Sequence, residues 1–547
     1  MLPKPRRIVT STRDRVTRGR LRLSEAVRPD LVPQPQGYRL VIHEQGIELT
    51  AHDDAGLFYG RQTLGQLQRE GEVGACMIED WPDFAVRGVM LDISRDKVPT
   101  MATLRELIDL LASLKINQLQ LYTEHTFAYR NHRVVWEHAS PLTHEEIREL
   151  DTYCRARFIE LVPNQNSFGH MERWLKHPAY RDLAECPDGA FYWNQHRPAA
   201  TLNPLDPRSL ELVRELHAEL LPCFSSKQFN VGCDETMELG MGRSKPEADR
   251  VGVGRVYLDF LKQIHAGVVE HGCTMQFWAD IILKHPELVD ELPRDVVALI
   301  WGYEADHPFD EQCSRVAASG RQFYVCPGTS SWCSLAGRTR NMLDNIRSAA
   351  EMGLRHGAVG LLNTDWGDLG HLQPLSVSYA GFAYAAAVSW CLQSNADTDD
   401  LATAINRHVV FDPQERTGQA LLTLGDVYAL PGLARSNGTV LFDLLVQKRA
   451  PRPELRDAIV EARQRADKAC RMMAGASPRD AVVDDEVAYA ALLLESACAI
   501  GVGETVDVMK LRESHARTWG LRNRPGGMAD SRERLPAATA DAAERKP

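Results

Sequence analysis

From Val86 onward the chain alternates short apolar runs with longer amphipathic stretches. The runs are VRGVMLDI (86–93), QLQLYTE (118–124), FIELVPN (158–164), FNVGCDE (229–235), TMQFWAD (274–280), VVALIWGY (296–303), QFYVCPG (322–328) and AVGLLNTDW (358–366). Each has the length of a strand and is rich in apolar and β-forming residues. Helical spacing lies between most of them, as in TLRELIDLLASLK (103–115) and RVYLDFLKQIHAGVVEH (255–271). Eight such units predict a (β/α)8 TIM barrel, of class α/β, over 86–392. A doubly wound open sheet would often carry a Gly-rich phosphate loop after its first strand, and LDISRDK has none. In a barrel the C-terminal strand ends carry the active site. Here those ends are Arg95, Glu124, Asn164, Asp234-Glu235, Asp280, Tyr303 and Trp366.

The flanks read differently. GYRLVIHEQGIELT (37–50) predicts a hairpin turning at Gly46, and DDAGLFYGRQTLGQLQRE spaces Leu57, Phe58, Leu64 and Leu67 close to a helical period. Together they predict a small N-terminal α+β domain over 1–85, ending near Trp81-Pro82. Residues 393–520 carry mostly helical patterns, for example ELRDAIVEARQRADKACRMM (454–473), and predict a helical domain. The Pro-, Ala- and charge-rich 521–547 is expected to be a disordered tail. Leu372 to Ala396 carries no charge, but Gln, Ser, Tyr and Gly interrupt it. That favours a buried helix over a membrane span.

Composition narrows the class. With 44% hydrophobic and 25% charged residues, the chain is that of an ordinary globular protein. Its 63 Lys and Arg against 74 Asp and Glu give a formal charge of −11. A phosphate-tracking nucleic-acid binder carries the opposite balance, so no nucleic-acid partner is expected. The twelve cysteines form no C-x-x-C pair and read as small buried hydrophobes in a reducing compartment. The first thirty residues are Arg-rich without a following apolar core, unlike a secretory signal. Asp14 and Glu25 interrupt them, which weakens an organelle-targeting reading. The expectation is a cytoplasmic protein with no membrane association; the oligomeric state stays open.

The candidate chemistry sits at the strand ends. Adjacent Asp234 and Glu235 repel, which raises the pKa of one and suits a general acid near neutral pH. Neighbours in a strand point to opposite faces, so both reach one pocket only if the chain leaves the pleat there. The bland alternative is a solvated acidic loop. Arg95 offers a fork of donors for hydroxyls or a carboxylate, or else is a surface arginine. Trp278, Trp301 and Trp366 end three strands and together suggest apolar walls for a sugar ring, although any one alone would read as core. Asp368 is a candidate acceptor for sugar hydroxyls or a turn aspartate. Glu124-His125 and His170 lie after strands two and three, where a histidine between carboxylates would tune an acid. Neither H-E-x-x-H nor H-x-H spacing occurs around them, so no metal and no cofactor is expected.

At these residues the sequence resembles glycoside hydrolase family 20, the β-N-acetylhexosaminidases, and within it the bacterial exo-acting glucosaminidases with a helical C-terminal domain. The resemblance covers about 1–392 and runs through GYRLVIHEQGIELTAHDDAGLFYGRQTLGQL, VRGVMLDISRDKVPTMATLRELIDLLASLKINQLQLY, LTHEEIRELDTYCRARFIELVPNQNSFGH and FNVGCDETMELG. The Asp-Glu pair is its most specific motif. It implies exo-acting, retaining, substrate-assisted removal of a terminal non-reducing β-linked N-acetylhexosamine (GlcNAc or GalNAc), so the expected partner is a small glycan. Glu235 would be the general acid and base, and Asp234 would hold the 2-acetamido group. Arg95 would grip ring hydroxyls, the three tryptophans would line the pocket, and Trp366 with Asp368 matches a Trp-x-acid pattern. Glu124 and His170 would join the substrate-binding set. Tyr303 and Tyr324 are both candidates for the tyrosine that assists the acetamido group. The chain departs from the family at Asn164 and Asn166, where acids are common, at Glu124-His125, which is offset by about a residue, and at Cys233, where Gly is commoner. The long 164–206 stretch is expected to form a wall or lid, with Phe168, Trp174, Tyr180, Tyr192 and Trp193 facing a second sugar. The rival readings are a hexosaminidase class that uses two aspartates, which the Asp-Glu pair disfavours, and a non-catalytic glycan-binding barrel.

Overall fold

The computed structural model describes residues 1–15, 22–69, 74–95 and 97–537. Five strands come first: β1 (Arg7–Arg15), β2 (Leu23–Val27), β3 (Tyr38–His43), β4 (Gly46–Ala51) and β5 (Gly74–Asp80). They form one sheet in the order β1-β5-β3-β4-β2. The hairpin expected over 37–50 is β3–β4, paired from Tyr38↔Ala51 to His43↔Gly46. The helix Asp54–Arg69 buries Tyr59, Thr63, Leu64 and Gln66. The arginine-rich start supplies two further strands that periodicity did not reveal, because β2 is exposed along its length and alternates no apolar residues.

The eight apolar runs are all strands: β6 (Val86–Asp92), β7 (Gln118–Tyr122), β8 (Glu160–Val162), then, after a small hairpin of β9 (Ala190–Tyr192) and β10 (Gln195–Arg197), β11 (Gln228–Asn230), β12 (Thr274–Trp278), β13 (Val297–Trp301), β14 (Gln322–Cys326) and β15 (Gly360–Asp365). Their order is β11-β12-β13-β14-β15-β6-β7-β8, all parallel. The ring closes by a parallel bridge between Asn164 and Asn230. This is the predicted (β/α)8 barrel.

The uncharged stretch after β15 contains a helix, Tyr379–Trp390, with every residue buried. Both of its faces are covered, which explains its lack of amphipathic pattern. Among the described residues no helix is long and apolar enough to cross a membrane. Trp390 also joins the core of the N-terminal sheet. Its indole donates to Asp80 Oδ1 (2.8 Å), whose Oδ2 accepts from Tyr38 Oη (2.6 Å) and Lys115 Nζ (3.0 Å). One buried carboxylate thus ties the sheet to the turn before β7 and to the helix after β15.

Beyond the barrel the chain is largely helical, as expected, but it is no separate appendage: its apolar residues belong to the same core as the barrel's. It also contains a two-stranded hairpin, β16 (Ala434–Arg435) and β17 (Gly438–Thr439). The segment expected to be a disordered tail from 521 is instead packed against the barrel over much of its length. Arg524 donates to Glu146 Oε1 (2.7 Å) and Pro141 O (2.9 Å), the helix Met528–Glu533 follows, and Leu535 is buried in the core. Composition misled here because Arg524 finds half-buried acceptors on the barrel and Leu535 enters the core. Residues 538–547 lie outside the described residues.

Asp80 and Lys115 are almost wholly buried, and removing one partner of such a pair costs about 3–5 kcal/mol. Asp80→Ala should therefore lower unfolding stability by about that much in chemical denaturation. A change within about 0.5 kcal/mol, the size of a surface substitution, would mean that this carboxylate does not join the two units.

Candidate active site

The third and fourth barrel strands are short because the chain leaves the pleat directly after each. Ser167 N donates to Val231 O (3.0 Å) and Cys233 N to Asn166 Oδ1 (3.3 Å), so the two post-strand segments interlock. Gly232 (φ 69°), Cys233 (φ 69°) and Glu235 (φ 45°) are left-handed. A Cβ on Gly232 would overlap Asn166 Oδ1, so only glycine fits. The turn brings Asp234 and Glu235 to the same pocket, as the sequence required. Asn164 and Asn166 hold this framework: Asn164 Nδ2 donates to Gln120 and Asn166 Nδ2 to Tyr122 Oη.

A cavity of about 260 Å³ opens at the C-terminal strand ends, lined by Arg95, His170, Asp234, Glu235, Trp301 and Trp366 among others. That volume is at the small end for ligand pockets. Arg95 is set by Asp92, which accepts from its backbone N (3.0 Å) and Nη1 (3.1 Å) and from Gly367 N (3.0 Å). Its Nε lies 3.3 Å from Glu124 Oε1, and its guanidinium sits over the rings of Tyr122 and Trp366. His170 bridges both sides of the pocket. Its Nε2 is 3.2 Å from Asp234 Oδ2 and 3.6 Å from Glu235 Oε2, and its Nδ1 is 3.4 Å from Arg95 Nη2. Asp234 Oδ1 is buried and has no hydrogen-bond partner among the described residues.

The electrostatics follow from crowding. Burial works against charge on His170, but Asp234 and then Glu235 outweigh it and hold the imidazole up at about 9. Burial raises Glu235 above the usual carboxyl range; His170 opposes this, and Asp234 and Asp368 reinforce it. Burial likewise raises Glu124 and Asp368, against the pull of Arg95.

Nearly all the sequence-predicted residues converge here. Trp301 and Tyr303 stack with centroids 5.2 Å apart, and Trp366 Nε1 donates to Tyr303 Oη (2.7 Å). Tyr303 and Asp368 line the cavity. Tyr324 does not: its hydroxyl donates to Gln228 at the N-terminal start of β11. Trp278 departs from expectation. It is fully buried behind Trp366, with centroids 6.0 Å apart, and is not a lining residue. Phe168, Trp174 and Tyr180 are likewise core. Phe168 stacks on Tyr257, and Trp174 packs on Tyr129 and Tyr180. These rings fasten the long segment to the barrel. Tyr192 and Trp193 lie on the β9–β10 hairpin with the Arg197 guanidinium over both, and they do not line the cavity.

Sequence reasoning missed the wall opposite the carboxylates. Glu304 and His307 line it, and so do Ser436 and Asn437 from the β16–β17 turn. Glu304 accepts from Arg338 Nη1 (3.0 Å) and Asn437 N (2.7 Å), while Asn437 Oδ1 accepts from Trp332 Nε1 (2.9 Å). The Asn437-Gly438 dipeptide was a legible hairpin signal, but nothing local placed that hairpin at the barrel mouth.

A parallel barrel whose mouth holds paired acids, an arginine and stacked aromatics has the site of a barrel enzyme, with walls suited to a sugar ring. The comparisons make this specific. The profile "Glycosyl hydrolase family 20, catalytic domain" matches residues 84–351, and "Glycosyl hydrolase family 20, domain 2" matches 5–81. The chain belongs to glycosyl hydrolase family 20. It is 28% identical to hexosaminidase D of Homo sapiens over 41% of this chain and 46% of that protein. To β-N-acetylhexosaminidase of Cellulomonas fimi it is 24% identical over 72% of this chain and 81% of that one. The first curated relatives are thus matched over about half their length. Its fold is that of an exo β-N-acetylglucosaminidase from Vibrio harveyi (TM-score 0.60, 18% identity, 75% of this chain and 76% of that one).

His170 makes a pH prediction. Its folded value near 9 exceeds the ordinary 6.5, so the stability it contributes is fully present below about pH 6.5 and is lost as pH rises through about 9. Each unit of the rise is worth about 1.4 kcal/mol. Unfolding free energy should fall across that window and should fall less in His170→Gln. Parallel curves for the two proteins would refute the assignment.

Proposed function

We propose that the chain is an exo-acting, retaining β-N-acetylhexosaminidase that removes a terminal non-reducing N-acetylglucosamine or N-acetylgalactosamine from a small glycan. The observation that carries this reading is Asp234 Oδ1, an unpartnered buried acceptor on the cavity wall beside a carboxyl held above its usual range. Such an oxygen suits the N–H of a 2-acetamido group. Buried acceptors without partners are costly, so a ligand donor would relieve the site.

In this scheme Glu235 protonates the leaving oxygen as the glycosidic C–O bond breaks, and the acetamido oxygen closes on the anomeric carbon. Asp234 takes the hydrogen bond of the developing oxazolinium N–H. Water then opens the ring, giving its proton to Glu235 and restoring the acid. Burial keeps the Tyr303 hydroxyl protonated, so it can donate to the acetamido oxygen while accepting from Trp366. Arg95, with Asp368 beside it, serves the hydroxyls on the far side of the ring. Neither step calls for a metal ion or cofactor. The small cavity and its closing wall from Glu304 and Asn437 favour one terminal sugar over an internal chain segment.

A chromogenic β-N-acetylglucosaminide tests the activity. Glu235→Gln should lose about 10²- to 10⁴-fold with a poor leaving group and less with an activated phenol. Asp234→Asn and removal of the substrate's N-acetyl group should be strongly non-additive, because both disable one internal nucleophile. Simple multiplication of their losses would overturn the role of Asp234. Cleavage of internal chitin-oligomer bonds as fast as terminal ones would overturn the exo assignment.

A further inference from the structure

Asp280 belongs to the strand-end set but lines no part of the cavity. It begins the short helix after β12, and its Oδ2 accepts the backbone N–H of Glu235 (3.3 Å) while its Oδ1 accepts the indole N–H of Trp301 (3.4 Å). Glu235 is left-handed, a conformation that costs a non-glycine residue about 1–3 kcal/mol and persists only where neighbours enforce it. One carboxylate therefore anchors the strained backbone of the acid and an aromatic wall of the pocket. We propose that Asp280 is a positioning residue for Glu235, fixing its carboxyl against the pocket and setting a further carboxyl behind the Asp234–Glu235 pair, where ionisation of any one opposes that of the others. This rests on Glu235 being the acid.

The groups facing Asp280 are few. Asp234, Glu235 and the Cys233 thiol come from the loop after β11, and the Tyr257 hydroxyl from the helix Val253–Glu270. Trp301 comes from β13, and Lys284, at the end of the same short helix as Asp280, has its ammonium 4.0 Å away. Burial and then the Asp234 and Glu235 charges raise the Asp280 carboxyl above its ordinary value; Lys284 only partly offsets them. The repulsion is mutual, so charge on Asp280 favours the protonated form of Glu235.

Asp280→Asn keeps the shape and removes the charge. The high-pH limb of kcat/KM, where the acid loses its proton, should shift to lower pH. Asp280→Ala also frees the Glu235 backbone and should lower kcat by up to about 10²-fold, the scale of a slight misplacement of a catalytic group, with KM little changed. The loss should be larger with a poor leaving group than with an activated phenol. In a Glu235→Gln background, Asp280→Asn should add no further leaving-group dependence. Thermal unfolding of Asp280→Asn identifies the folded fraction used for kinetics. An unmoved pH limb together with equal losses on both substrates would overturn the proposal. If Glu235→Gln itself shows no leaving-group dependence, the assignment of the acid has failed instead, and the proposal falls with it.

Discussion

The site depends on how the barrel closes between β8 and β11. Both strands stop after three residues, and the chain then crosses from regular ladder into two interlocked loops. Asn166 Oδ1 occupies the space a side chain on Gly232 would need, and Gly169 lies against the carbonyl of Asp234 where no Cβ fits. This contact turns an alternating strand into a turn that sends two consecutive carboxylates into one pocket. Without it Asp234 and Glu235 would face opposite sides of the sheet, and neither His170 nor Asp280 would reach both.

Charge is the second constraint. Asp92, Glu124, Asp234, Glu235 and Asp368 surround Arg95 and His170, with Asp280 behind Glu235, so acids outnumber cations inside a largely buried volume. A cluster so unbalanced lowers its energy by keeping protons on some carboxyls. The contrast with Asp80 is instructive. That carboxylate meets one lysine and three further donors, so its role is to join the N-terminal sheet to the barrel. Similar burial gives reactivity where partners are scarce and rigidity where they are sufficient.

The region after the barrel is part of the pocket. The β16–β17 turn brings Asn437 onto Glu304, and buried Arg338 fixes that carboxylate from behind. The wall facing the carboxylates is therefore assembled from the end of β13, the loop that follows it and a hairpin more than a hundred residues further along the chain, with Trp332 and Arg338 backing it.

The barrel was legible in the sequence because eight short runs rich in apolar and β-forming residues alternate with helical patterns, and eight such units in series leave little choice of topology. The Asp-Glu pair, Arg95, His170, Trp301, Tyr303, Trp366 and Asp368 were legible because they sit where such strands end. Local pattern also placed the hairpin 37–50 and the buried helix after β15. It could not distinguish a tryptophan that lines a cavity from one behind it: Trp278 and Trp366 both follow apolar runs, yet only the register of the closed ring puts one in front of the other. Nor could it tell that Phe168, Trp174 and Tyr180 pack inward, or that Arg524 finds acceptors on the barrel. Spacing along the chain fixes which face of its own element a residue shares. Which residues from distant elements share a pocket is a long-range fact, and only packing decided it.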